Sequence, residues 1–188
     1  MREVAQLLKD LIAAQHPVGL ARLAQYHESA IQTTATAASV VRPSTTAALT
    51  IWNGENVGGK SMVIDRLFSF NLVSTTAEAR SSLWYSNHLT MTKPTNDITS
   101  LRGTGDGREP DNGMVVVDAG ASVLDNGWFP CGNFSTVEPT GVLPGASMEW
   151  EARGRLIVPP GHGLSVQVVS SVTGNTFTSG MSWWRMQL

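Results

Sequence analysis

The segment Gly54-Glu55-Asn56-Val57-Gly58-Gly59-Lys60-Ser61 fits the P-loop pattern G-x-x-x-x-G-K-[ST] at every position. In that chemistry backbone amides cradle the phosphates and the lysine reaches the β and γ phosphates. Met114-Val115-Val116-Val117-Asp118 also has the form of a hydrophobic strand ending in a magnesium-binding aspartate. The geometry, however, requires a helix that starts at the Lys-Ser end and points its N-terminus at the phosphate. The residues after Lys60 have a two-residue period instead, and nothing later in the chain offers the crossover helices of a parallel sheet. The segment is therefore expected to be a hairpin connection built on Asn53-Gly54 and Gly58-Gly59, and nucleotide binding at 54–61 is the least favoured function.

Other reactive residue types do not form a constellation. Asp106, Glu109 and Asp111, set among Gly105, Gly107 and Gly113, offer oxygen ligands to Ca²⁺, but without the spaced pattern of an EF-hand loop. A solvated loop is the expectation for 103–113. His16, His27, His88 and His162 are scattered, with no pair at metal-ligand spacing. Cys131 is the single cysteine, so neither an intrachain disulfide nor a cysteine-based zinc site is available. As a nucleophile it would need a positioned base, and His162 is the one tempting partner. Gly145-Ala146-Ser147-Met148-Glu149 lacks the last glycine of a nucleophile elbow. No catalytic residue, cofactor or metal is expected.

The aromatics are more informative. Trp183 and Trp184 are adjacent in the last strand-like segment, and neighbouring strand residues point to opposite faces. One of the two rings is expected to leave the core and lie at a subunit interface; a sugar-stacking platform and cover by a loop are the alternatives. Ten Arg against three Lys suits an interface too.

These residues need elements to hold them. Val4, Leu7, Leu8, Leu11 and Ile12 recur at helical spacing, with Arg2, Glu3, Lys9 and Asp10 on the other side. Pro17 and Gly19 interrupt that pattern, and a second short helix carrying Leu20, Leu23, His27 and Ile31 is expected after them. Residues 1–31 thus read as an amphipathic helical arm whose stripe binds a partner. Each such side chain contributes roughly 1.5–3 kcal/mol when fully buried. Residues 32–46, rich in Thr, Ala and Ser around Pro43, read as an extended connector in which Ala38 to Arg42 could hide a strand.

From about residue 47 the period is two. In Ser61 to Val73 the even positions are Met62, Ile64, Arg66, Phe68, Phe70 and Leu72, which predicts one buried face. Further strands are predicted at Leu49 to Asn53, Ser82 to Met91, Met114 to Asp118, Gly127 to Cys131, Ser147 to Glu151, Arg155 to Val158, Leu164 to Ser170 and Thr176 to Gln187. Turn signals such as Asp125-Asn126-Gly127 and Pro159-Pro160-Gly161 separate them. The expected fold is all-β: an antiparallel, jelly-roll-like β-sandwich over 47–188 with the N-terminal helical arm.

Composition narrows the partners. Charged residues are 15% of the 188, the net charge is -2, and Ser and Thr together number 36. That balance argues against phosphate neutralisation, hence against nucleic acid. No run of about 18 apolar residues is present, so no membrane helix is expected. The charged N-terminus lacks the form of a secretory signal.

The C-terminal third reads Gly154-Arg-Leu-Ile-Val-Pro-Pro-Gly-His-Gly-Leu-Ser-Val-Gln-Val168, then Gly180-Met-Ser-Trp-Trp-Arg185. It resembles the closing strands of small jelly-roll virion proteins of tailed bacteriophages over about 35 residues, mainly 154–188. The resemblance implies a non-enzymatic virion protein: a capsid decoration or cement protein, a head fibre or a tail component. It further implies a homotrimer, with major capsid or other virion proteins as partners. The alternative is a carbohydrate- or receptor-binding tail module that uses exposed tryptophan.

Overall fold

A computed structural model of the chain describes residues 26–75, 79–94, 101–102, 115–138 and 147–188. The stripe Val4, Leu7, Leu8, Leu11 and Ile12, the acidic loop 103–113 and Met114 lie outside these residues. Every regular element described is a strand. In chain order they are β1 (Tyr26–Ile31), β2 (Thr36–Ala37), β3 (Thr46–Trp52), β4 (Ser61–Val73), β5 (Ala79–His88) and β6 (Leu101–Arg102). Then follow β7 (Val115–Ser122), β8 (Phe129–Glu138), β9 (Ser147–Val158), β10 (Gly163–Ser170) and β11 (Thr176–Met186).

The strands form two antiparallel sheets. Sheet A has the order β6-β1-β11-β4-β9, with β2 also on β11, and sheet B the order β7-β3-β10-β5-β8. One core lies between them: Met62, Ile64, Leu67, Met148, Leu156, Phe177, Met181 and Trp183 from sheet A meet Leu49, Ile51, Leu83, Leu164, Val166 and Val168 from sheet B. Alternation along each strand supplies these inward residues.

Three expectations are corrected. Residues 26–31, placed in the helical arm, are strand β1, paired with β11 from Tyr26↔Arg185 to Ile31↔Gly180. The helical spacing of His27 and Ile31 misled because the true inward positions are Glu28 and Ala30, and Glu28 is charged. The connector is tied down rather than merely extended: β2 pairs β11, Ser39 bridges Val169, and Gln32 links the sheets. Gln32 Oε1 accepts from the Ser179 amide at 2.7 Å while its Nε2 donates to the Ala48 carbonyl at 2.8 Å.

The third correction concerns β4. Its register to β9 jumps between Ile64 and Arg66, and residues 152–155 of β9 stand opposite the single Asp65. Arg153 and Gly154 take φ of 49° and 76° there, a left-handed excursion that glycine tolerates and arginine rarely adopts. Arg155 closes the protrusion by donating to the Ala152 and Glu151 carbonyls. Such a bulge switches which side chains face the core. Met62 and Ile64 point inward, whereas Leu67, Ser69 and Asn71 do so beyond it, leaving Phe68, Phe70 and Leu72 on the outer face. The same irregularity merges two predicted strands into β9.

Candidate functional site

The P-loop-like segment joins β3 of sheet B to β4 of sheet A, so it crosses an end of the two-sheet core instead of forming a hairpin. Asn53 anchors it. Its Nδ2 donates to the Val158 carbonyl at 2.9 Å and the Lys60 carbonyl at 3.0 Å, and its own carbonyl accepts from the Gly161 amide. Gln187 Nε2 donates to the Gly58 carbonyl. Ser61 opens a strand rather than a helix. The interior of the loop is filled by the chain's own carboxylate: a Cβ on Gly59 would meet Glu55 Oε2 at 2.7 Å and the Asn56 carbonyl at 2.8 Å. An incoming phosphate would face that negative charge. Asp118 lies on β7, opposite Leu49 of an antiparallel neighbour, which is not the parallel arrangement of a nucleotide site.

Glu55 serves a different purpose. Its Oε1 accepts from Arg185 Nη1 at 3.2 Å, and Arg185 Nε donates to Glu28 Oε2 at 3.1 Å. Trp183 Nε1 donates to the same Glu28 oxygen at 2.8 Å. The Arg185 and Glu28 side chains are only 1% and 3% exposed, and Glu55 24%. A chain of charge-assisted hydrogen bonds therefore runs from β1 through β11 to the capping loop. It closes the same end of the sandwich that carries the turn 159–162.

Both tryptophans of the pair are covered. Trp183 belongs to the core, and Trp184, though directed outward, is 8% exposed. One ring thus leaves the core, as expected, yet is covered within this chain, while Trp183 is held inward by the buried Glu28 carboxylate.

A further aromatic group lies at the seam where β8 and β9 meet, with Tyr85 and Trp150 packed against the core and partly buried. Trp150 stacks on Tyr85 with centroids 5.4 Å apart and planes 8° apart, and Arg155 sits 5.3 Å over Trp150. Phe129 approaches Tyr85 at 5.8 Å and is 55% exposed. Burial pushes the Tyr85 phenol up from its ordinary value.

A buried polar row crosses the outer face of sheet B. Ser165 Oγ lies 2.7 Å from Thr50 Oγ1 and 2.8 Å from His88 Nε2. A serine beside a histidine suggests nucleophilic chemistry, but all three side chains are sealed. Met91 lies over Gly163, whose added Cβ would meet its Sδ at 2.5 Å, and its carbonyl accepts from Trp52 Nε1. Burial lowers the His88 pKa, which favours the neutral ring. No sequence pattern flagged this trio, since its members lie on three strands.

Cys131 is buried, with its thiol donating to the Leu83 carbonyl at 3.4 Å. Burial pushes its pKa to about 12, far from a reactive thiolate. His162 instead places Nδ1 2.9 Å from the Pro160 carbonyl within its own turn. Among the described residues no group of three or more His, Cys, Asp or Glu is placed to hold a metal ion, and no helix is long and apolar enough to cross a membrane. Compared with known proteins, the chain matches no family model, no curated protein and no solved structure.

Proposed function

We propose that this chain is a non-enzymatic structural protein of a bacteriophage-type virion: a jelly-roll domain that forms homotrimers and cements neighbouring capsid subunits. The observation that carries this reading is the strand order. Without β2, β6 and β7, sheet A reads β1-β11-β4-β9 and sheet B reads β3-β10-β5-β8. The chain changes sheet at each step along β1, β3, β4 and β5, continues to β8 within sheet B, and changes again at β9, β10 and β11. That order suits the doubled Greek key of a jelly roll. The sealed Ser165–His88 pair and inert Cys131 fit a protein without turnover. Low charge density fits large interfaces, since buried unpaired charges are expensive. Density-gradient separation of particles from a producing culture tests the proposal. The chain should travel with intact particles at stoichiometric amounts, and its confinement to the soluble fractions would overturn the reading.

A second reading, carbohydrate binding, is favoured by the seam of Phe129, Tyr85, Trp150 and Arg155 alone. Glycan-array binding that disappears in Phe129→Ala would promote it.

A further inference from the structure

We propose that Asn126 is a site of spontaneous covalent modification, at which the side-chain amide is lost through a succinimide to leave aspartate and isoaspartate. Asn53 has the same Asn-Gly sequence and is protected by the fold. Sequence does not separate the two, since a glycine follows each and leaves the attacking backbone nitrogen without a side chain beside it. The structure does. Asn53 is 1% exposed. Its Nδ2 donates to the Lys60 and Val158 carbonyls, and its Oδ1 accepts from the Glu55 amide at 3.2 Å. Bringing its Cγ onto the Gly54 nitrogen would break all three bonds in a site sealed from solvent. Asn126 is exposed and, among the described residues, its side-chain amide has no partner. Its backbone amide alone is engaged, donating to the Leu124 carbonyl at 3.0 Å. Gly127 has a φ of 98°. Apart from its chain neighbours, a Cβ added there would meet nothing nearer than the Phe129 ring at 3.6 Å, so the flank of its nitrogen is open.

The chemistry needs only water. The Gly127 nitrogen attacks Asn126 Cγ, and a five-membered ring closes as the Cγ–Nδ2 bond breaks. The amide proton passes through solvent to the departing nitrogen, which leaves as ammonia. Water then adds to one of the two ring carbonyls. Breaking the bond from nitrogen to Cγ gives aspartate, and breaking the bond from nitrogen to the backbone carbonyl carbon gives isoaspartate. Nothing is oxidised or reduced. The position gives this change a consequence, because the connection between β7 and β8 fastens the segment that leads into β3. Arg42 Nη1 and Nη2 donate to Asp125 Oδ2 and Oδ1 at 2.8 and 3.0 Å. Trp128 Nε1 donates to the Ser44 carbonyl and the Val123 amide to the Thr45 carbonyl, both at 2.9 Å. The Gly127 amide donates to Asp125 Oδ1 at 3.2 Å, and that hydrogen is lost when the ring closes. Either product adds a negative charge beside Asp125, and isoaspartate also inserts a methylene into the backbone of the fastening.

The test incubates the full-length protein, folded and urea-unfolded, in mildly alkaline buffer and maps its peptides by mass spectrometry, with isoaspartyl methyltransferase labelling to detect isoaspartate. In the folded protein, conversion at position 126 should outrun that at position 53 by about ten-fold or more, a barrier difference of about 1.4 kcal/mol. In urea the two rates should converge, because the hydrogen bonds that hold Asn53 are gone. In folded Asn126→Gln, whose longer side chain closes its ring far more slowly, the signal from this peptide should vanish. An intact amide at 126 in the folded protein, equal conversion at 53 and 126 there, or a gap that persists in urea would each overturn the proposal. So would a signal that survives in Asn126→Gln, since it would then belong to Asn112-Gly113, which lies outside the described residues.

Discussion

Ile64 and Phe68 occupy positions of the same parity on β4 yet face opposite sides of sheet A. Ile64 is buried between the sheets, and the Phe68 ring lies over Gly180 on the outside. The jump between Ile64 and Arg66 separates them. Side-chain parity along this strand therefore predicts two classes of substitution effect.

Leu67, wholly buried beyond the bulge, should cost about 2–5 kcal/mol when cut to alanine. Phe70→Ser, on the outer face, should change stability by about 1 kcal/mol or less. Urea unfolding of the two variants checks this. The reverse ranking would mean that β4 keeps a single parity throughout.

Removal of one member of the buried ion pair should be severe. Glu28→Gln leaves Arg185 facing a neutral amide in a site with almost no solvent, and breaking such a pair costs about 3–5 kcal/mol. Replacing both partners, as Glu28→Gln with Arg185→Met, should recover part of that loss. A double-mutant cycle on denaturation midpoints measures the coupling; strict additivity would contradict the hydrogen-bonded arrangement.

Legibility of the fold followed the reach of the signal. Strands whose inward residues are apolar were readable, and β4 was bounded correctly from Ser61 to Val73. β1 was not, because its inward Glu28 depends on Trp183 and Arg185, more than 150 residues later. The bulge at Asp65 was equally hidden: it is defined by pairing with Ser182 and Trp183 on one side and residues 151–156 on the other, all far away in sequence. Local periodicity assumes an unbroken pleat, so it assigned Phe68, Phe70 and Leu72 to the core. The strand that follows Lys60, where a P-loop has a helix, was legible from its two-residue period. The capping role of Glu55 could not be read, since Arg185 lies 130 residues away.

His88 makes stability depend on pH in a defined direction. Its folded-state pKa lies below the ordinary value because burial disfavours the charged ring. The unfolded chain then binds the proton more readily, so folding loses stability as pH falls below about 6.5. The decline should level off once the folded-state pKa is passed. Thermal melts of wild type and His88→Gln between pH 8 and pH 5 isolate this contribution. An unchanged difference between the two proteins across that range would refute the assignment.

Nucleotides should leave the chain untouched. With Glu55 occupying the loop interior and Ser61 starting a strand, neither ATP nor GTP has a cradle of amides to enter. Calorimetry with wild type and Lys60→Ala should show no heat beyond dilution for either. Micromolar binding lost in the variant would overturn both the capping role and the position of the loop in the fold.

Truncation at the N-terminus should show a sharp boundary at Tyr26. Residues 26–31 pair along β11 and contribute Ala30 to the core and Glu28 to Arg185. A chain lacking residues 1–31 loses that strand, strips six residues of pairing from one side of β11 and leaves the buried Arg185 without Glu28. Exposed apolar core and a buried arginine stripped of its most buried carboxylate partner together consume most of the 5–15 kcal/mol of stability usual for a domain of this kind. Removal of residues 1–25 spares β1 with its pairing to β11 and β6. That shorter deletion should melt cooperatively within a few degrees of the parent, while the longer one should give insoluble protein or a broad, early transition. Circular dichroism melts of the two purified truncations decide the matter. Equal melting of both would show that β1 is dispensable, and the assignment of the sandwich boundary to Tyr26 would fall.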